Sequence, residues 1–171
     1  MPGLNRHQRI RCSVFALGAA VCLLETVSAL ADEKTFDYLN TTSSHVTTFV
    51  SDAETVEVSK LTVEPSVSSK VLIQFSSTVS AESADGCPCS VRAMVSMDGG
   101  EPRIVKRINV GSPAVVSLQK YPFDRQALDG SSVFEVTPGK HTFSILFKQV
   151  SGSSKKLEIN YPNAQAMVFG N

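Results

Sequence analysis

The chain has 171 residues, with 16 Lys and Arg against 16 Asp and Glu, three histidines and no tryptophan. This balance predicts no electrostatic partner, and the absence of a basic stripe or an interleaved aromatic platform along the sequence argues against nucleic acid. The length suits one domain able to bury a core without help from disulfides.

Arg6, Arg9 and Arg11 precede an apolar run over residues 12–24. Such a run is too short to span a bilayer and has the form of a secretory leader. Ala29-Leu30-Ala31 is a small-x-small cleavage site, so residues 1–31 read as a signal peptide and the mature protein is expected to begin at Asp32. Val21, not a small residue, precedes Cys22, which argues against lipid attachment. The expected compartment is outside the cytoplasm: periplasm, cell surface or medium. After cleavage no second apolar run is long enough to span a membrane.

Residues 32–44 are polar, lack a clear period and read as a lead-in segment. Asn40-Thr41-Thr42 within it matches the N-glycosylation pattern. Residues 45–171 read as a single β-sandwich domain, because apolar and polar residues alternate in short runs between turn formers. Val56 and Val58 share a face and Leu61 and Val63 resume it out of step, which predicts a bulge. Val71, Ile73 and Phe75 mark the next strand, and Val91, Ala93, Val95 and Met97 the one after. Asp98-Gly99-Gly100 predicts a tight hairpin, since a primed turn needs positive φ. The returning strand is expected over residues 103–110.

A short strand is expected over residues 114–118. Residues 119–130 are the least regular stretch, suited either to a functional loop or to a crossover between sheets with Phe123 and Leu128 as plugs. Phe134 and Val136 lead to Pro138-Gly139, and His141, Phe143, Ile145 and Phe147 share one face of the longest clean strand. Leu157, Ile159 and Tyr161 alternate, Pro162-Asn163 breaks the run, and residues 164–169 close the domain. Eight to ten strands and no helical period give an all-β, two-sheet antiparallel sandwich, either immunoglobulin-like or jelly-roll.

The run from Val136 through Pro138-Gly139 to His141, Phe143 and Ile145 resembles the corner before a late strand in immunoglobulin-like and fibronectin type III domains. In those families a tyrosine anchors the corner through its hydroxyl. Here His141 holds that position, and its imidazole is expected to supply a similar bond.

Cys87-Pro88-Cys89 is the most unusual tripeptide, and two thiols this close in an oxidising compartment are expected to pair. Cys87, Cys89 and Met94, with Met97 nearby, also offer soft donors of the kind that suit Cu(I). The odd separation of Met94 and Met97 places them on opposite faces of a strand, so no metal and no cofactor are expected. His45 and His141 lack zinc-site spacing. There is no G-x-S-x-G, and Asp98, Glu101, Asp124 and Asp129 all fall at turns, so no catalytic set is expected.

Tyr121, Phe123 and Arg125, in the irregular stretch, are the expected binding surface. The sequence therefore describes an exported, non-catalytic binding or structural module with a protein or glycan partner, and a homo-oligomer remains open through its edge strands. The competing description is a small exported enzyme, or a metal- or thiol-handling protein, built on the Cys87-Pro88-Cys89 loop.

Overall fold

The computed structural model describes residues 34–38, 47–50, 54–81, 85–112, 124–155 and 157–170. The leader, Asn40, His45, Tyr121 and Phe123 lie outside these residues. Among the described residues ten strands run in chain order: β1 Lys34–Tyr38, β2 Thr47–Val50, β3 Thr55–Val63, β4 Ser69–Ala81, β5 Cys89–Met97, β6 Arg103–Val110, β7 Asp124–Ala127, β8 Gly130–Val136, β9 His141–Ser151 and β10 Leu157–Gly170. They form two antiparallel sheets packed face to face. One has the path β1-β10-β4-β7, with β2 on β10 and β8 on β4. The other has the order β3-β9-β5-β6.

The core follows from two-residue periodicity. Val71, Ile73, Phe75 and Val79 of β4 face Val91, Ala93 and Val95 of β5 and Phe143, Ile145 and Phe147 of β9, all buried in one cluster. Two aromatic pairs join the sheets. Phe75 meets Phe147 edge-on with ring centroids 6.0 Å apart, and Phe134 of β8 meets Phe143 at 5.1 Å.

The bulge in β3 falls at Val58, which stands unmatched between the Glu57–Leu146 and Ser59–Ile145 pairs. The Asp98-Gly99 turn is of the primed kind, with φ of 52° and 72°, and Gly100 N–H donates to Met97 O at 2.9 Å.

Three features differ from the sequence reading. Residues 34–38, inside the expected lead-in, form β1 and pair with β10 from Asn163 to Met167; five residues held by a backbone ladder are too few to show a period. Residues 124–127, expected to be irregular, form β7 against Thr78–Ala81 of β4. Pro162-Asn163 does not end a strand. Tyr161 adopts φ of 55°, and Tyr161 and Pro162 together oppose a single residue of β4, so β10 continues through a bulge. The bulge moves the core-facing set from Leu157 and Ile159 to Ala164, Ala166 and Val168, and makes β10 the longest strand at 14 residues.

The chain passes from the four-stranded sheet at β6 to the six-stranded sheet at β7, and Leu128 just beyond is fully buried. Leu128 is thus buried as a plug would be, whereas residues 113–123, with the strand expected over 114–118, lie outside the described residues.

Candidate functional site

The outer face of the four-stranded sheet is built by the even-numbered residues of β5 and β9, since the odd-numbered ones enter the core. The registers place Arg107 of β6 opposite Arg92 of β5, and Arg92 opposite Lys148 of β9. Residues in register project to the same face, so three cations stand in one row at strand spacing, about 5 Å apart. Thr55 of β3 ends the row. Arg107 is exposed, while Arg92 and Lys148 are half-buried.

Among the described residues none of the three has a carboxylate partner, and the buried Nε of Arg92 has no hydrogen-bond acceptor. The carboxylate on the next register pair, Glu57, is taken by Lys60 at 3.3 Å. Like charges placed directly opposite each other destabilise a sheet. Among the described residues no carboxylate offsets the repulsion within the row.

An apolar row runs beside it. Ile104, Met94 and Leu146 are matched across β6, β5 and β9, and Ile104 is 41% exposed. A shallow groove of about 420 Å³ lies along Ile104, Val105, Lys106 and Arg107. The surface is flat and open, with cations along one line and aliphatic side chains along the next.

Arg103 does not belong to this surface. Its guanidinium lies 4.5 Å from the centre of the Phe134 ring and its Nη1 donates to Val133 O at 3.2 Å, which ties β6 to β8 across the sandwich.

The sequence showed no basic stripe because Arg92, Arg107 and Lys148 are far apart along the chain. Only the pairing of β6, β5 and β9 brings them together. The signal available beforehand was parity: Arg92 lies out of phase with Val91, Ala93 and Val95, and Lys148 out of phase with Phe147.

Of the expected surface residues, Arg125 is exposed on β7, paired with Ser80 of the six-stranded sheet. It is on the other sheet from the cationic row. Tyr121 and Phe123 lie outside the described residues.

Cys87 and Cys89 are joined by a disulfide, with Cα atoms 4.6 Å apart, inside the usual disulfide range. Cys89 is fully buried and in phase with Val91 and Ala93, whereas Cys87 is half-buried. Met94 lies on the outer face of β5 and Met97 packs against the core, so the two thioethers diverge and Met94 is out of phase with Cys89. Among the described residues no three His, Cys, Asp or Glu side chains cluster as metal ligands would.

His141 occupies the corner its position predicts. Its Nε2–H donates to Thr137 O at 2.9 Å, and its Nδ1–H to Asp98 Oδ2 at 2.8 Å. Asp98 Oδ1 accepts from Thr142 N–H at 2.7 Å. Both partners of the ring are acceptors, so full satisfaction requires the imidazolium. The hydrogen bond to Asp98 accordingly raises the His141 pKa above its ordinary value. The Thr142 N–H, with His141 second, lowers that of Asp98.

No protein-family model matches this chain, and no curated protein matches it in sequence. Similar solved structures include the VP2 subviral particle of infectious bursal disease virus, at 12% identity and a TM-score of 0.39 over 81% of this chain and 33% of that one. They also include the exo-β-1,3-galactanase of Phanerochaete chrysosporium, at 12% identity and a TM-score of 0.33 over 80% and 29%. A third is dimeric latent PorU of Porphyromonas gingivalis, at 12% identity and a TM-score of 0.39 over 84% and 14%. The chain spans a third or less of the length of each of these. The class of protein defined here is a β-sandwich, and these distant likenesses assign it no activity.

Proposed function

We propose that this protein is an exported, non-catalytic binding module, and that the outer face of its four-stranded sheet binds an anionic polysaccharide. The observation that carries the reading is the Arg107–Arg92–Lys148 row, three cations in register without a carboxylate among the described residues. A bound polyanion supplies counter-charges and relieves the repulsion. A flat face with charges in a line suits an extended polymer better than a compact solute. The chain has no tryptophan, so recognition by charge and aliphatic contact replaces stacking on indole rings.

Export rests on the leader-like residues 1–31. The sheet orders, with β2 on β10 and β10 on β4 in one sheet and β3-β9-β5-β6 in the other, set early strands beside late ones, which supports the jelly-roll alternative over the immunoglobulin-like one; the His141 bond to Thr137 O is a corner contact only.

The test is binding of the mature chain to polygalacturonate, with neutral dextran as control, at rising salt. Saturable binding to the acidic polymer is expected to weaken steadily with salt, because association releases counterions. Equal retention by dextran, or binding insensitive to salt, contradicts it. Capture by poly-glutamate but not by polygalacturonate would replace the glycan with an acidic protein.

A further inference from the structure

We propose that the Cys87–Cys89 disulfide is a thiol–disulfide exchange site, with Cys87 as the attacked sulfur and Cys89 as a buried leaving group held by Gln149. A bond between cysteines two residues apart closes a very small loop and constrains the unfolded chain little, so it contributes little as a stability staple. Its surroundings are nonetheless specifically built.

Gln149 lies on β9 in phase with Phe143, Ile145 and Phe147 and is fully buried, where the pattern calls for an apolar residue. Burying an amide is costly unless its polar atoms are bonded. Gln149 Nε2 points at Cys89 Sγ at 3.7 Å, and among the described residues its Oε1 has no partner. The oxidised state thus leaves a buried acceptor unsatisfied beside a sulfur that carries no proton.

Reduction supplies what is missing. A Cys89 thiolate accepts from the Gln149 N–H, and a Cys89 thiol can donate to the amide oxygen or to Gly86 O, which lies 3.2 Å from the sulfur. Glycines leave the space. A Cβ on Gly152 would lie 2.6 Å from Cys89 Sγ, and one on Gly111 would lie 2.7 Å from Cys87 Sγ. The two sulfurs are unequal: Cys89 is fully buried, whereas Cys87 is half-buried and so the one an outside reagent reaches.

The co-reactant is an external dithiol. Its first thiolate attacks Cys87 Sγ, forming a mixed disulfide as the Cys87–Cys89 bond breaks. The electron pair of that bond stays on Cys89 Sγ, which takes a proton from water. The second thiolate of the dithiol then attacks the outer sulfur of the mixed disulfide and displaces Cys87 as a thiolate, which is protonated in turn. The dithiol loses two electrons and becomes a disulfide, and the cysteine pair gains them. A hydrogen bond from Gln149 to the departing sulfur lowers its basicity and speeds the first step.

The test uses the mature chain, dithiothreitol as the dithiol, acid quench and alkylation, read by intact mass. The site should be reduced under native conditions, without denaturant. Cys89→Ser, which keeps the reachable thiol, should form a mixed disulfide with glutathione disulfide at least about tenfold faster than Cys87→Ser, which keeps the buried one. Gln149→Leu should slow reduction about fivefold, the worth of one hydrogen bond, while the fold is retained. Reduction only in denaturant, equal rates for the two serine variants, or an unchanged rate in Gln149→Leu would each overturn the proposal. Should Gln149→Leu not fold, the two serine variants decide.

Discussion

His141 and Asp98 fasten two turns of the sandwich to one another. The imidazole of His141 opens β9 at the Pro138-Gly139 corner, and the carboxylate of Asp98 closes the β5–β6 hairpin. Their 2.8 Å contact, with the Thr142 N–H on the second carboxylate oxygen, joins the hairpin tip to the strand it must lie beside. The folded-state pKa of His141 lies above its ordinary value of 6.5, so its contribution is complete below that value and disappears as pH rises through the raised pKa. The pKa of Asp98 lies below 3.8, so its contribution is complete above that value and disappears as pH falls through the lowered pKa. Thermal unfolding against pH should show greatest stability between 3.8 and 6.5 for this pair. His141→Gln should flatten the alkaline side. With Asp98 45% exposed on its side chain, the loss should be about 1 kcal/mol or less. A variant with the wild-type pH profile would show that the pair does not act as an ion pair.

The cationic row should be visible in stability before any ligand is known. Replacing Arg107 or Lys148 with Thr removes one member of a like-charged pair and adds a strand-favouring residue. Each change should raise unfolding free energy by about 0.2–1 kcal/mol at low salt, with the gain shrinking as salt rises. Urea unfolding at two ionic strengths checks this. A loss of stability in both variants would mean that the row has counter-charges of its own.

The glycines around the disulfide differ from those at the hairpin tips. Gly152 has φ of 81°, and a Cβ there would meet Cys89 Sγ at 2.6 Å and Gly86 O at 2.8 Å. Gly99 has φ of 72°, but nothing lies within 4 Å of its Cβ position. Gly152→Ala should therefore cost about 2 kcal/mol or more, from backbone and collision together. Gly99→Ala should cost only about 1 kcal/mol, the conformational part. Equal losses in chemical denaturation would show that the space beside Cys89 is not used.

Strand identity was legible wherever core residues alternate without interruption. Phe143, Ile145 and Phe147, or Val91, Ala93 and Val95, define their strands and the faces they bury. The β3 bulge was also readable, because Val58 and Leu61 are separated by an odd step. β7 was not, since Asp124–Ala127 is four residues long and is held by the backbone of β4. The continuity of β10 was hidden because a bulge at Tyr161-Pro162 looks like a break when only side-chain parity is read. The Cys87–Cys89 bond was expected from two close thiols in an oxidising compartment, but Gln149 beside it was not, because nothing in a strand pattern says which sulfur a buried amide will meet. The cationic row is the largest omission. Arg92, Arg107 and Lys148 each look like a solvated residue on a polar face, and only strand register makes them neighbours.

The core claim of the fold can be probed at Phe147, fully buried between the sheets and edge-on to Phe75. Phe147→Ala should lower stability by about 3–5 kcal/mol, because the removed ring leaves a cavity at the centre of the sandwich. Phe169→Ala, at a side chain 41% exposed, should change it by about 0.5 kcal/mol or less. Similar effects in the two variants would place the core elsewhere.

The most direct test of the account is calorimetric titration of the mature protein with polygalacturonate, comparing wild type with the triple variant Arg92→Thr, Arg107→Thr and Lys148→Thr. Urea unfolding verifies that the variant is folded. Salt-sensitive binding by the wild type is expected, with loss of most of that affinity in a variant at least as stable. Undiminished binding by the folded triple variant would contradict it, and would move the binding surface off the four-stranded sheet.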